Sequence, residues 1–152
     1  MGSSTERPGA VPVAGAAAGG GTGTGTAAGT GTVAEFPLFD HEKLEVYRVA
    51  REFLALATKL VVRKMSRDLR DQFERASSSI LFNIGEGAGK TSKADKQRSY
   101  EIARGSTTEV ATQLDVLRIR GVITSEQYQS ARGLLVRVAQ MLSRLCGAPR
   151  AT

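Results

Sequence analysis

Residues 83 to 92 read NIGEGAGKTS, and the fold turns on what this stretch is. A glycine-rich turn closing on Gly-Lys-Thr is how a P-loop cradles nucleotide phosphates, so the first question is whether Gly89, Lys90 and Thr91 end such a loop. The motif requires a glycine at position 84, where the chain has Ile84; Gly85 comes one residue late. A P-loop also leaves a buried parallel strand, whereas residues 67 to 84 keep an unbroken helical period, and no later apolar run ends in an aspartate able to serve magnesium. The stretch therefore ends a helix and holds no nucleotide.

Outward from it the apolar residues step by three and four over four segments. The first carries Tyr47, Ala50, Leu54, Ala57 and Val61; the second Leu69, Phe73, Ala76, Ile80 and Ile84. The third carries Tyr100, Ala103, Val110, Leu114 and Leu117, and the fourth Tyr128, Ala131, Leu135, Val138, Leu142 and Leu145. Asp40, Ser66, Ser92 and Thr124 stand where N-cap side chains belong, Thr124 and Gln127 at capping-box spacing. Gly121 and Gly147 suit left-handed C-cap positions, with Pro149 confirming the last stop. These signals predict an all-α chain: an antiparallel up-down-up-down four-helix bundle with helices of roughly 20 to 28 residues.

Ahead of the bundle, residues 2 to 34 hold ten of the 17 glycines, among alanine, threonine and serine. Such a segment buries too little surface to offset the entropy of ordering it. It reads as a disordered N-terminal tail, or as sequence upstream of the true translation start. The expected division is a tail over 1–35, the bundle over 36–148 and a short C-terminal tail over 149–152.

The chain has 152 residues, with 21 basic against 15 acidic, a formal charge of +6. Residues 36 to 152 hold 20 of the cations and 13 of the carboxylates, a surplus of 20 − 13 = +7 on the folded part. Cys146 is the single cysteine, which excludes an internal disulfide and fits a reducing cytoplasm. His41 is also alone, so no zinc site or Cys-His pair is expected, and no cofactor. No apolar run reaches the roughly 20 residues that cross a bilayer, and the N-terminus lacks the pattern of a secretory signal.

Residues 68 to 117 resemble the four-helix-bundle proteins encoded in intervening sequences of 23S ribosomal RNA genes. In that family a helix ends in Asn-Ile-x-Glu-Gly, matched by Asn83, Ile84, Gly85, Glu86 and Gly87, and the next carries Ala-x-Gly-Ser-x-x-Glu, matched by Ala103, Gly105, Ser106 and Glu109. The likeness extends weakly to the opening helix and departs at Gly85, where alanine is usual. It implies an antiparallel bundle assembling into a ring, often a pentamer, with no established enzymatic activity and with RNA association suspected from gene location.

Polar residues in apolar company suggest a structural network of Asn83, Glu86, Arg104, Ser106 and Glu109 that fixes helix register, in preference to a Glu86 and Glu109 carboxylate pair doing acid-base or metal chemistry. Gly105 and Gly133 lie inside helices, where close approach of a neighbouring backbone is the expected reason. A second apolar series on the first helix, Val46, Val49, Phe53, Leu56 and Leu60, widens its apolar face beyond what one core requires. This surplus is expected to meet another copy of the chain.

Many cations sit in last helical turns, where the helix dipole favours them. Arg67, Arg70, Lys93, Lys96 and Arg98 do not, and are the expected contacts to RNA or DNA backbones, bound without sequence reading because aromatic residues are scarce. Two functions follow: a non-enzymatic homo-oligomeric bundle that binds nucleic acid non-specifically, or an oligomeric adaptor for another protein with the tail as tether and no nucleic acid. Neither involves a membrane.

Overall fold

The computed structural model describes residues 37–60 and 65–147. The predicted tails, and with them Val61, lie outside the described residues. A 3-10 turn, Asp40–Lys43, precedes four helices: α1 Glu45–Leu60, α2 Arg67–Gly89, α3 Lys93–Ile119 and α4 Ser125–Leu145. Among the described residues the fold is all-α, with no strand.

Local chemistry explains the boundaries. Thr124 and Gln127 form a reciprocal capping box: Gln127 N–H donates to Thr124 Oγ1 at 3.1 Å, and Thr124 N–H to Gln127 Oε1 at 2.9 Å. Ser92 Oγ accepts from Asp95 N–H at 3.4 Å. Each box or cap satisfies a backbone donor that the first turn leaves orphaned, worth about 1 kcal/mol. Gly121 and Gly147 take φ of +67° and +68°, the left-handed conformation in which a side chain would be strained. Two expected caps differ. Asp40 opens the 3-10 turn, where Phe39 N–H donates to Glu42 Oε2 at 2.9 Å, and α1 starts only at Glu45. Ser66 precedes α2 without a side-chain capping bond.

Residues late in one helix meet residues early in the next. Gly87, near the end of α2, lies against Ser99 and Tyr100 of α3. Midway, Ser79 Oγ and Ser106 Oγ are 2.9 Å apart. Gln97 Nε2, early in α3, donates to the Cys146 carbonyl after α4 at 3.2 Å, and Tyr128 early in α4 donates its hydroxyl to Asp115 Oδ1 at 2.7 Å. Arg137 of α4 pairs with Glu45 of α1 at 3.6 Å. The core between the helices holds Phe53, Phe73, Ile80, Ile84, Leu114, Leu117, Leu135 and Leu142, each essentially without exposure. Each such side chain contributes about 1.5 to 3 kcal/mol of apolar burial.

The surplus apolar face of α1 needs a correction. Val46, Val49, Phe53 and Leu60 are 3%, 2%, 0% and 1% exposed within the single chain, and Leu56 is half-buried against the same core. The 3-10 turn, α2 and α4 all pack on α1, so the described residues of both apolar series are covered by their own bundle. They are core side chains, not a surface on which a second copy can sit.

Candidate functional site

The five cations singled out in the sequence fall into two groups at opposite ends of α2. Arg67 and Arg70 open α2; Lys93, Lys96 and Arg98 open α3, beside the far end of α2, about 30 Å away at the helical rise. Arg67, Lys93 and Arg98 are exposed, whereas Arg70 and Lys96 are half-buried. Arg70 Nε is buried without a partner, so its guanidinium is partly drawn into the helix packing.

The ion pairs among the described residues use other cations: Lys43, Arg48, Lys90 and Arg137. Arg67 and Lys93 are the first residues of their helices, where unsatisfied N–H groups give a partial positive charge. A cation there costs up to about 1 kcal/mol, and an anion at the same place is favoured.

The expected polar network forms only in part. Asn83 Nδ2 donates to the Ser79 carbonyl at 2.8 Å and lies 3.1 Å from Ser79 Oγ, which in turn meets Ser106. The connecting member is Ser79, one of three successive serines, Ser77 to Ser79, that are poor helix formers beside the buried stripe of α2. Its signal was the four-residue step to Asn83, which places both on one helix face. Glu86 is exposed and pairs with Lys90 at 2.9 Å; Glu109 is exposed and accepts from Gln113 Nε2 at 3.3 Å. Arg104 is half-buried and its charge acts on the Cys146 thiol. Glu86, Arg104 and Glu109 thus stand outside the Asn83, Ser79 and Ser106 chain. The two glutamates line different recesses and form no dyad.

The helical glycines differ from one another. A β-carbon on Gly87 would stand 2.6 Å from Tyr100 Cε1, so close packing requires that glycine. Gly105 and Gly133 have nothing within 4 Å of the same position, so among the described residues no neighbouring backbone accounts for them. Cys146 is buried, and burial pushes its thiol above the ordinary value of 9.0, partly offset by Arg104. Among the described residues no three of His, Cys, Asp and Glu gather where they could hold one metal ion. None of the described helices is long and apolar enough to cross a membrane.

Comparison with known proteins matches a family model and solved structures. The model for the 23S rRNA-intervening sequence protein family matches residues 42–144. A crystal structure of a protein of unknown function from the S23 ribosomal protein family of Bacteroides thetaiotaomicron superposes with a TM-score of 0.63 at 25% identity, covering 66% of this chain and 97% of that one. No curated protein matches.

Proposed function

The chain belongs to the 23S rRNA-intervening sequence protein family, and from that premise we propose that it is a non-enzymatic scaffold that assembles with copies of itself and holds RNA or DNA by the phosphate backbone. The bundle is read as antiparallel, up-down-up-down, which the end-to-start contacts between successive helices support. The ring of five is the copy number that the family resemblance implies. A reducing cytoplasm suits the single buried thiol.

The observation that carries nucleic-acid binding is the placement of Arg67 and Lys93. Each is exposed at a helix N-terminus, where its charge adds unfavourably to the dipole, and among the described residues no carboxylate pairs with it. A phosphate at either position relieves both effects, accepting from the side chain and from the free backbone N–H groups. Several copies multiply these sites into a field that attracts a polyanion. Aromatic side chains suited to stacking on bases are few, which supports binding without sequence selection.

The test is titration of single-stranded RNA of mixed sequence at a series of salt concentrations, beside light scattering of nuclease-treated protein. Each phosphate neutralised is expected to add about −0.7 to the slope of log affinity against log salt. Replacing Arg67 and Lys93 by glutamine should flatten that slope by about 0.7 per side chain, alike for every sequence. No binding at low salt would leave the scaffold without a nucleic-acid role and favour the adaptor function.

A further inference from the structure

We propose that Phe39, backed by His41 and Tyr47, is a stacking seat for an unpaired base of a single-stranded nucleic acid whose phosphates run on to Lys93. The inference rests on the nucleic-acid reading above and adds the part of the ligand that this end of the bundle takes hold of: the flat face of a base.

Phe39 is 72% exposed at the entry to the 3-10 turn. Its ring lies nearly parallel to the His41 imidazole, with centroids 5.7 Å apart and planes inclined by 10°. Tyr47 of α1 meets the same imidazole edge-on, at 4.6 Å and 68°. His41 is half-buried and Tyr47 is packed against the core, so this aromatic pile is anchored at its inner end and open at its outer one. Among the described residues no other aromatic side chains pair, and Phe82, exposed to a similar degree, stands by itself. A fixed aromatic stack with a free outer face is the surface on which a base continues the pile.

Packing within the bundle does not explain this phenylalanine, whose ring stands mostly in water. It occupies the N-cap place of the turn, where an oxygen-bearing side chain is preferred because it accepts a first-turn N–H; phenylalanine has no such oxygen. Its neighbour Leu38 is 57% exposed and does not cover it. Yet the backbone beneath the ring is fastened. Phe39 N–H donates to Glu42 Oε2 at 2.9 Å, and Glu42 N–H donates to the Phe39 carbonyl at 3.0 Å. Leu44 N–H donates to the His41 carbonyl at 3.1 Å, and Leu44 packs on the core. An exposed ring held in this way gives up little freedom when a ligand settles on it.

The surroundings select a nucleic-acid strand as the occupant. Gly85 of α2 faces both His41 and Tyr47, so the pile stands beside the last turns of α2. That helix ends four residues on, about 6 Å along its axis, and the four further residues to Lys93 reach at most about 14 Å. Seat and cation thus lie within about 20 Å, the span of about six nucleotides at the stacked spacing of about 3.4 Å. Lys96 and Arg98 follow on α3, and Arg144 lies in the last turn of α4, which meets α3 through Gln97 and Cys146. Lys93, Lys96, Arg98 and Arg144 stand outside the ion pairs of the described residues, whereas Asp40, Glu45 and Glu86 at this end are each taken up by a cation. Of the other carboxylates here, Glu42 is occupied by Phe39 N–H, which leaves Asp95 and Glu101. A duplex hides its base faces inside its own stack, so only an unpaired base reaches Phe39. Stacking accepts any base, in keeping with binding that does not read sequence.

The experiment is fluorescence anisotropy titration of the full chain at low salt. Its probes are a mixed-sequence RNA strand of about ten nucleotides, the same strand annealed to its complement, and an abasic strand of equal length. The chains are wild type, Phe39→Ala, Phe39→Leu and Phe39→Tyr. Alanine and leucine should each weaken binding of the single strand about 10-fold and leave the duplex and the abasic strand unmoved. Tyrosine keeps the aromatic face and should keep the affinity. The salt slope should hold in every variant, because no phosphate contact is lost. Helical circular dichroism should also hold, since this ring takes no part in the core. Equal affinity of Phe39→Ala and wild type for the single strand, or an equal loss on duplex or abasic strand, overturns the seat and leaves backbone binding standing. A Phe39→Ala chain that loses its assembly in light scattering before RNA is added assigns the side chain to contact between copies, and likewise overturns the seat. No binding of any probe by wild type overturns both readings.

Discussion

Gly87 and Tyr100 touch where the end of α2 meets the start of α3, so closely that a β-carbon on the glycine would lie 2.6 Å from Cε1 and 2.9 Å from Cδ1 of the ring. Tyr100 is itself 4% exposed, its ring enclosed by the core. Alanine at Gly87 should therefore lower stability by about 1 to 3 kcal/mol despite its better helix propensity. Urea denaturation reads this directly, and an unchanged midpoint would mean that the ring has another position open to it.

Two residues earlier the same substitution should act in the other direction. A β-carbon on Gly85 would meet Tyr47 Cε2 at 3.8 Å and His41 Cγ at 4.0 Å, ordinary contact distances. Gly85→Ala should stabilise the chain by about 0.5 to 1 kcal/mol through reduced freedom of the unfolded chain and added contact. The departure from the family pattern at this position therefore loosens the end of α2 slightly without altering its path. A fall in melting temperature for this variant would contradict that account.

Phe53 separates a core role from an interface role. Because it is 0% exposed within one chain, Phe53→Ala should cost about 3 to 5 kcal/mol and unfold the chain at lower urea. Native protein that melts as before but loses its assembly would return Phe53 to the surface.

Alkaline pH should weaken the fold. Burial raises both the Cys146 thiol above its ordinary 9.0 and the Tyr100 phenol above its ordinary 10.0. Each group keeps its proton longer folded than unfolded, so its contribution is complete below the ordinary value and is lost as pH rises past it. The urea midpoint should hold steady through neutrality and fall above about pH 9. Cys146 should also react slowly with thiol reagents in native protein, since the thiolate is the reactive form. Rapid native labelling at neutral pH would sink this assignment.

How far the sequence spoke for the structure follows from what periodicity measures. Local signals were legible: Ser92 and Thr124 cap α3 and α4, and Gly121 and Gly147 take the conformations their positions required. Each depends only on residues within a turn or two. The apolar width of α1 was also legible, but not what covers it, because a periodic pattern counts buried faces without naming the neighbour. Val46, Val49, Phe53 and Leu60 thus went to a second copy, when the 3-10 turn and two other helices already enclose them. The Ser79 contact to Ser106 depends on the register of α2 against α3, which no single helix encodes. The stack of Phe39 on His41 escapes notice for a related reason: both residues precede the apolar stripes, and a scarcity of aromatic residues says nothing of whether two of them meet.

The pairing of Glu45 with Arg137 marks where the chain closes on itself. Contacts between consecutive helices span short stretches of chain, which favours rapid collapse of α2, α3 and α4. The seam of α1 with α4 joins the two most distant helices and carries the largest entropic cost of loop closure. That seam should be the last to form during refolding and the first to breathe open near the melting point.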